Sequence, residues 1–202
     1  MKLHTETVSS GLLELLQKLM KEKALQSFAL AGGTALALRF GHRTSIDLDL
    51  FTCEAFDAPA VAEWLKTRYD MKEAETAENT VRGIISGIKI DLIAHRYPLI
   101  NPVKEEAGIR IFSCEDIAAM KLNAITNRGC KKDFWDYAEL LQIYSRDEML
   151  SFFAQKYQND SLWNVEKSLA YFDDAESDPD PRDLQGRSWE EIKQAVLASA
   201  KL

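Results

Sequence analysis

The sequence predicts an α+β fold: a mixed sheet with flanking helices over residues 1–112, then a helical half over 113–202. Three observations predict it. Apolar residues recur with a period of two before Phe112, best in Ile46-Asp47-Leu48-Asp49-Leu50 and in the run IKIDLIA that holds Asp91. Helical patterns and turn residues separate these runs. From Ser113 onward only helical signals remain, opened by Ser-x-x-Asp and Ser-x-x-Glu capping sequences.

In chain order, Ser9 or Ser10 caps a helix reaching about 25, with Leu12, Leu13, Leu15, Leu16, Leu19 and Met20 as its apolar stripe. Residues 28–31 form a short buried strand, and Gly32-Gly33 a sharp turn. Residues 34–40 form a helix that Gly41 ends. A loop at 42–45 leads to the strand at 46–51. Its alternation turns Asp47 and Asp49 to one face and Ile46, Leu48 and Leu50 into a core. Pro59 starts a helix to about 69. Strand signals follow at 71–75, 80–86, 88–94 and 109–112. In the second half, helices are expected to about 127, over 132–144, to about 157, over 160–172, and from the Ser188 cap to 200. The acidic, proline-containing stretch at about 173–187 reads as an extended, solvated linker.

The chain has 202 residues, 46% hydrophobic and 28% charged, as expected of one globular domain or two small ones. A net charge of −7 argues against holding nucleic acid by bulk electrostatics, though not against a local basic groove. Cys53, Cys114 and Cys130 share no spacing, which points to a reduced, cytoplasmic protein. The N-terminal MKLHTETVSS has no apolar signal region, and no apolar run reaches membrane-spanning length.

Paired carboxylates on a buried strand repel unless a cation neutralises them. Asp47 and Asp49 can hold two Mg²⁺ ions, and Asp91 on a neighbouring strand can complete the set or take a proton from an attacking hydroxyl. Gly32 and Gly33 let a phosphate approach the free N–H groups at a helix start, and Thr34 adds a hydroxyl. Arg43, Arg128 and Lys132 are placed to clamp phosphate, and the last two alternatively to guide an acceptor nucleic acid.

The spacing Ala31-Gly32-Gly33, then Asp47-Leu48-Asp49, then Ile90-Asp91-Leu92 resembles the nucleotidyltransferase superfamily with the polymerase-β-like fold. The blocks GGTALALRFGHRTSIDLDLF, AAMKLNAI, KKDFWDYAELL and SWEEIKQAV narrow the resemblance to the AbiEii/AbiGii toxin family. That resemblance implies a nucleotidyltransferase domain at 1–112 and a helical domain at 113–202. It implies a nucleoside triphosphate substrate, a tRNA or other RNA acceptor, and a cognate antitoxin protein. It also implies that Lys121 reaches the triphosphate, where residue reasoning alone allows a lysine snorkelling at the rim of an apolar stripe.

Asp136 is expected to orient Lys121 or Lys132, so that its loss costs less than the loss of Lys121. Asp133 reads as a companion or as a helix cap. His4, His42 and His95 share no metal-ligand spacing, and Trp64, Trp135, Trp163 and Trp189 read as core anchors. The rival readings are a transferase with a protein or small-molecule acceptor, and a nucleotide-binding module without turnover.

Overall fold

The computed structural model describes residues 3–158 and 160–200. Seven strands build one mixed sheet: β1 (Ala29–Leu30), β2 (Leu48–Thr52), β3 (Lys72–Ala77), β4 (Thr80–Ile85), β5 (Ile88–Ala94), β6 (Lys104–Glu106) and β7 (Ile109–Ile111). Their order across the sheet is β3-β4-β5-β2-β1-β7-β6. With helices packed on this sheet and a helical half after it, the α+β class expected from the sequence holds.

The centre of the sheet follows from alternation. Leu48, Leu50, Ile90 and Leu92 are fully buried, so the residues between them face the other way. β2 and β5 run parallel, with Leu48 opposite Ile90, Asp49 opposite Asp91 and Leu50 opposite Leu92. One expectation fails at the start of β2. Ile46 is 75% exposed rather than in the core, and the strand begins only at Leu48. The backbone just before it is engaged elsewhere: Thr44 N–H donates to Arg182 O and Ser45 N–H to Thr7 O. Those donors are lost to the ladder, so Asp47 sits on the loop at the strand's mouth. Strand β6 had no sequence signal, because Lys104, Glu105 and Glu106 carry no apolar alternation. It is a short charged edge strand, as β3 is a longer one.

In the first half, α1 (Ser10–Lys21), α2 (Gly32–Phe40) and α3 (Ala58–Tyr69) flank the sheet. In the second half lie α4 (Cys114–Asn127), α5 (Lys131–Leu140), α6 (Arg146–Lys156), α7 (Leu162–Leu169), α8 (Asp173–Glu176) and α9 (Trp189–Ser199). Ser113, Ser145 and Ser188 cap α4, α6 and α9, the last two through complete capping boxes with Glu148 and Glu191. Helix α5 is buried on every side, and only Lys132 among its residues faces solvent. Trp135 stacks on Trp189 at 5.8 Å within this core. Trp163, expected as an anchor, is 62% exposed and carries Lys167 over its ring. The hydrophobic core is continuous from Leu3 to Val196 and crosses the 112/113 position without a break.

The stretch read as a solvated linker is no linker. After the short helix α8, residues 178–187 fold back as a strap against the loop at 42–44. Arg43 and Asp183 form a β-bridge, and Leu184 N–H donates to His42 O at 2.8 Å. Trp135 Nε1 donates to Asp183 Oδ1 at 2.9 Å. Lys131 Nζ reaches Asp180 at 2.9 Å, and its backbone N–H donates to Asp178. Among the described residues no helix is long and apolar enough to cross a membrane.

Candidate active site

The two glycines matter because side chains press on them. Gly32 adopts φ +66, and a Cβ there would lie 2.6 Å from Asp49 Oδ2. A Cβ on Gly33 would collide with the Arg43 guanidinium and come within 3.3 Å of Asp136 Oδ2. The turn thus brings a carboxylate and a guanidinium onto the start of α2. The residue before this helix, Ala31, has no side chain that can cap it, so the first N–H groups receive no N-cap hydrogen bond. Thr34 does something other than expected. It is fully buried, and its hydroxyl bonds Ser45 Oγ at 2.8 Å and donates to the Asp47 carbonyl, bracing the loop that carries Asp47.

Asp49 and Asp91 sit side by side on parallel strands and point to one face. Asp47 lies two residues before Asp49, and Lys132 Nζ is 3.8 Å from its Oδ2. Burial raises the Asp49 carboxyl above its ordinary value; Lys121 opposes this, and the Asp91 and Asp47 charges add to it. Asp91 Oδ2 is 3.5 Å from Arg82 Nε, while its Oδ1 is buried without a hydrogen-bond partner. An orphaned buried carboxylate oxygen beside a second crowded carboxylate is a donor set suited to a hard cation. Among the described residues, no group of three or more His, Cys, Asp or Glu is already drawn together as a metal cage. A divalent ion here would need oxygens from its substrate, as Mg²⁺ commonly does.

Opposite these acids lies a buried ionic cluster. Asp136, fully buried, accepts from Arg43 Nε and Nη2 at 2.7 and 2.8 Å and contacts His42 Nε2 at 2.8 Å. Lys121 Nζ lies 2.6 Å from Asp136 and 3.0 Å from Asp133. Arg128 forks onto Asp133 with two bonds at 2.8 and 3.0 Å. Burial works against ionising Asp136, yet Arg43, Lys121 and His42 together hold its carboxyl well below the usual range. Asp133 is likewise lowered against burial, by Lys121 and Arg128. Burial opposes the charge on Lys121, but Asp136 and Asp133 raise its pKa overall. Three cations face two carboxylates, so the cluster keeps a surplus positive charge toward the cleft.

Two cavities meet at Asp49, Asp91, Lys121 and Arg128. The larger, about 560 Å³, is lined by Gly33, Arg43, Asp47, Lys132 and the strap from Asp178 to Arg182. The smaller, about 290 Å³, opens along β2 and β5 beneath α4. The structure therefore gathers Asp47, Asp49, Asp91, Lys121, Gly33, Arg43 and Lys132 around one cleft, with Gly32 on the smaller cavity and Asp136 directly behind the cations. Sequence reasoning missed His42, Lys131 and the strap. His42 had only its place beside Arg43 as a signal, and the strap's aspartates were indistinguishable from a solvated acidic run.

The model of the nucleotidyl transferase AbiEii toxin family, type IV toxin–antitoxin system, matches residues 14–98 and 80–201. The uncharacterized protein aq_aa25 of Aquifex aeolicus (strain VF5) is 36% identical over 194 residues, covering 93% of each chain. Two solved structures share the fold. JHP933 from Helicobacter pylori is 20% identical with a TM-score of 0.58, over 96% of this chain and 91% of its own. MenT4, the nucleotidyltransferase toxin Rv2826c from Mycobacterium tuberculosis H37Rv, is 14% identical with a TM-score of 0.52, over 94% and 82%. The matched residues take in both the glycine–carboxylate strands and the helical cluster around Lys121, and the chain belongs to the AbiEii family of nucleotidyltransferase toxins.

Proposed function

We propose that this nucleotidyltransferase uses Mg²⁺ to move a nucleotide from a nucleoside triphosphate to the end of an RNA, tRNA included. It acts in the cytoplasm, as the toxin partner of a cognate antitoxin protein. The observation that carries the reading is the register of Asp49 with Asp91, which sets two carboxylates side by side on the lining of a cation-rich cleft, one Asp91 oxygen being buried and unpartnered. Asp47, Asp49 and Asp91 would hold the metal, two ions in all. Bound Mg²⁺ supplies positive charge to the phosphate oxygens and to the attacking oxygen.

The chain's own residues do the rest. The start of α2 at Gly32 and Gly33 receives phosphate on its free N–H groups. Thr34 contributes through the loop it braces. Asp91 takes the proton of the acceptor hydroxyl. That oxygen bonds the α-phosphorus, the bond to the bridging oxygen breaks, and pyrophosphate leaves. Lys121, Arg43 and Lys132 neutralise the charge that develops on it, with Asp136 holding Lys121 and Arg43 in place.

The test is incubation with each α-labelled nucleoside triphosphate, Mg²⁺ and total RNA. Label is expected in RNA, abolished by EDTA and by Asp91→Asn. Label on protein or on a small molecule instead would overturn the RNA acceptor, and an active Asp91→Asn would overturn the role of Asp91.

A further inference from the structure

The smaller cavity lies on the far side of Asp91 from the strap, and its chemistry differs from that of its neighbour. Phe51 and Ile93 stand two residues beyond Asp49 and Asp91 on the same strand faces, so the carboxylates run directly into an apolar wall. Ile117 and Met120 of α4 form the opposite wall. Aromatic rings close the end: His95 packs edge-on to Phe51 at 5.8 Å and to Tyr157 at 5.7 Å, and Tyr157 Oη bonds His95 Nε2 at 3.0 Å. Tyr97, 44% exposed, extends this surface outward at 4.8 Å from His95. Burial, aided by the nearby Lys156 charge, lowers the His95 pKa to about 4, so this end of the cavity is uncharged at neutral pH. Two cations flank the cavity, Arg82 and Arg128, each with a side chain 54% exposed.

A triphosphate engaged on Gly33, Arg43 and Lys132 occupies the larger cavity. The partner in the reaction must bring a hydroxyl to Asp91 from the other side. An aromatic and aliphatic slot of about 290 Å³ with arginines beside it suits one nucleoside unit and the phosphodiester attached to it. Resting on the transferase reading above, we propose that the smaller cavity holds the 3′-terminal nucleotide of a single-stranded RNA acceptor. Its base lies against Phe51, His95 and Tyr157, its phosphodiester meets Arg82 and Arg128, and its hydroxyl faces Asp91. Arg82 then has two partners, Asp91 and the acceptor phosphate.

Transfer of labelled nucleotide to a short RNA measures this, with triphosphate affinity followed separately by a fluorescent analogue. An RNA ending in an abasic ribonucleotide keeps the hydroxyl and phosphate but loses the base, so wild type should use it about 10- to 100-fold less well. Met120→Trp fills the slot. It should lower transfer to ordinary RNA to the abasic level, add no further loss on abasic RNA, and leave triphosphate affinity unchanged. Arg82→Gln should weaken RNA binding and reduce its salt slope by about one. Equal use of ordinary and abasic RNA by wild type would overturn the proposal while leaving the transferase reading intact. A Met120→Trp protein that loses triphosphate affinity would overturn it too, by giving the slot to the incoming nucleotide. Failure of wild type to label any RNA, or label on a protein instead, would overturn the RNA reading and this inference with it.

Discussion

Asp136 has no water contact, and His42, Arg43 and Lys121 all converge on it. Its removal leaves the buried Arg43 without its carboxylate and Lys121 with Asp133 alone, a change that costs about 3–5 kcal/mol. Asp136→Ala should therefore lose that much stability in urea titration. The ranking expected from sequence, with Asp136 the lesser partner of Lys121, concerns turnover and stands apart from this loss of stability. Asp49 behaves in the opposite sense. Its carboxyl is raised by burial, so its ionisation destabilises the folded state increasingly as pH rises through the carboxylate range. Asp49→Asn should unfold no earlier than wild type in EDTA at pH 7, while transfer activity vanishes. Asp133 and Asp136 are lowered, so their contribution is whole above the unfolded carboxylate value near pH 4 and is lost as pH falls further. Acid titration followed by circular dichroism should show unfolding there, and Asp136→Asn should remove part of that pH dependence. Lys121→Gln should lower kcat by about 10²- to 10³-fold with a smaller change in triphosphate affinity, the pattern of a group acting on developing charge. Near-wild-type turnover in single-turnover kinetics would return Lys121 to a purely structural part.

The strap shows why one element was illegible. Its sequence, Asp178-Pro179-Asp180-Pro181, has the composition of a solvated linker, and composition was the only local signal. Its fold depends on partners far away in the chain: the backbone of residues 42–44, the Trp135 indole and Lys131. Asp183 is the fastening point, accepting from Trp135, from Arg187 and from two backbone N–H groups. Asp183→Ala leaves the Trp135 N–H buried without its partner, at a cost of about 1–3 kcal/mol. Hydrogen exchange should then report faster opening of the Thr44 and Leu184 amides than of α4. Elements with their own periodicity were readable in advance. The Asp-bearing strand, β5, α4 and the three serine caps announce themselves through neighbours two to four residues away. The start of β2 was misplaced because nothing local says that the backbone at Thr44 and Ser45 is engaged by Arg182 and Thr7.

At the scale of the molecule, a change from mixed to helical composition at Ser113 suggests two domains, yet the hydrophobic core runs through it from Leu3 to Val196. Tryptophan fluorescence and far-ultraviolet circular dichroism should give one coincident urea transition, and residues 1–112 alone should show no cooperative transition. Two separated transitions would mean that the halves fold independently. The strap adds a consequence in time. Synthesis runs from the N-terminus, and folding begins before it ends. Asp49 and Asp91 leave the ribosome well before the segment that walls their cleft, so a nascent chain can hold its acids and its glycine turn while the cleft is still open along one side. The candidate cleft thus gains its last wall only once residues 178–187 have been made and have paired with the loop at 42–44.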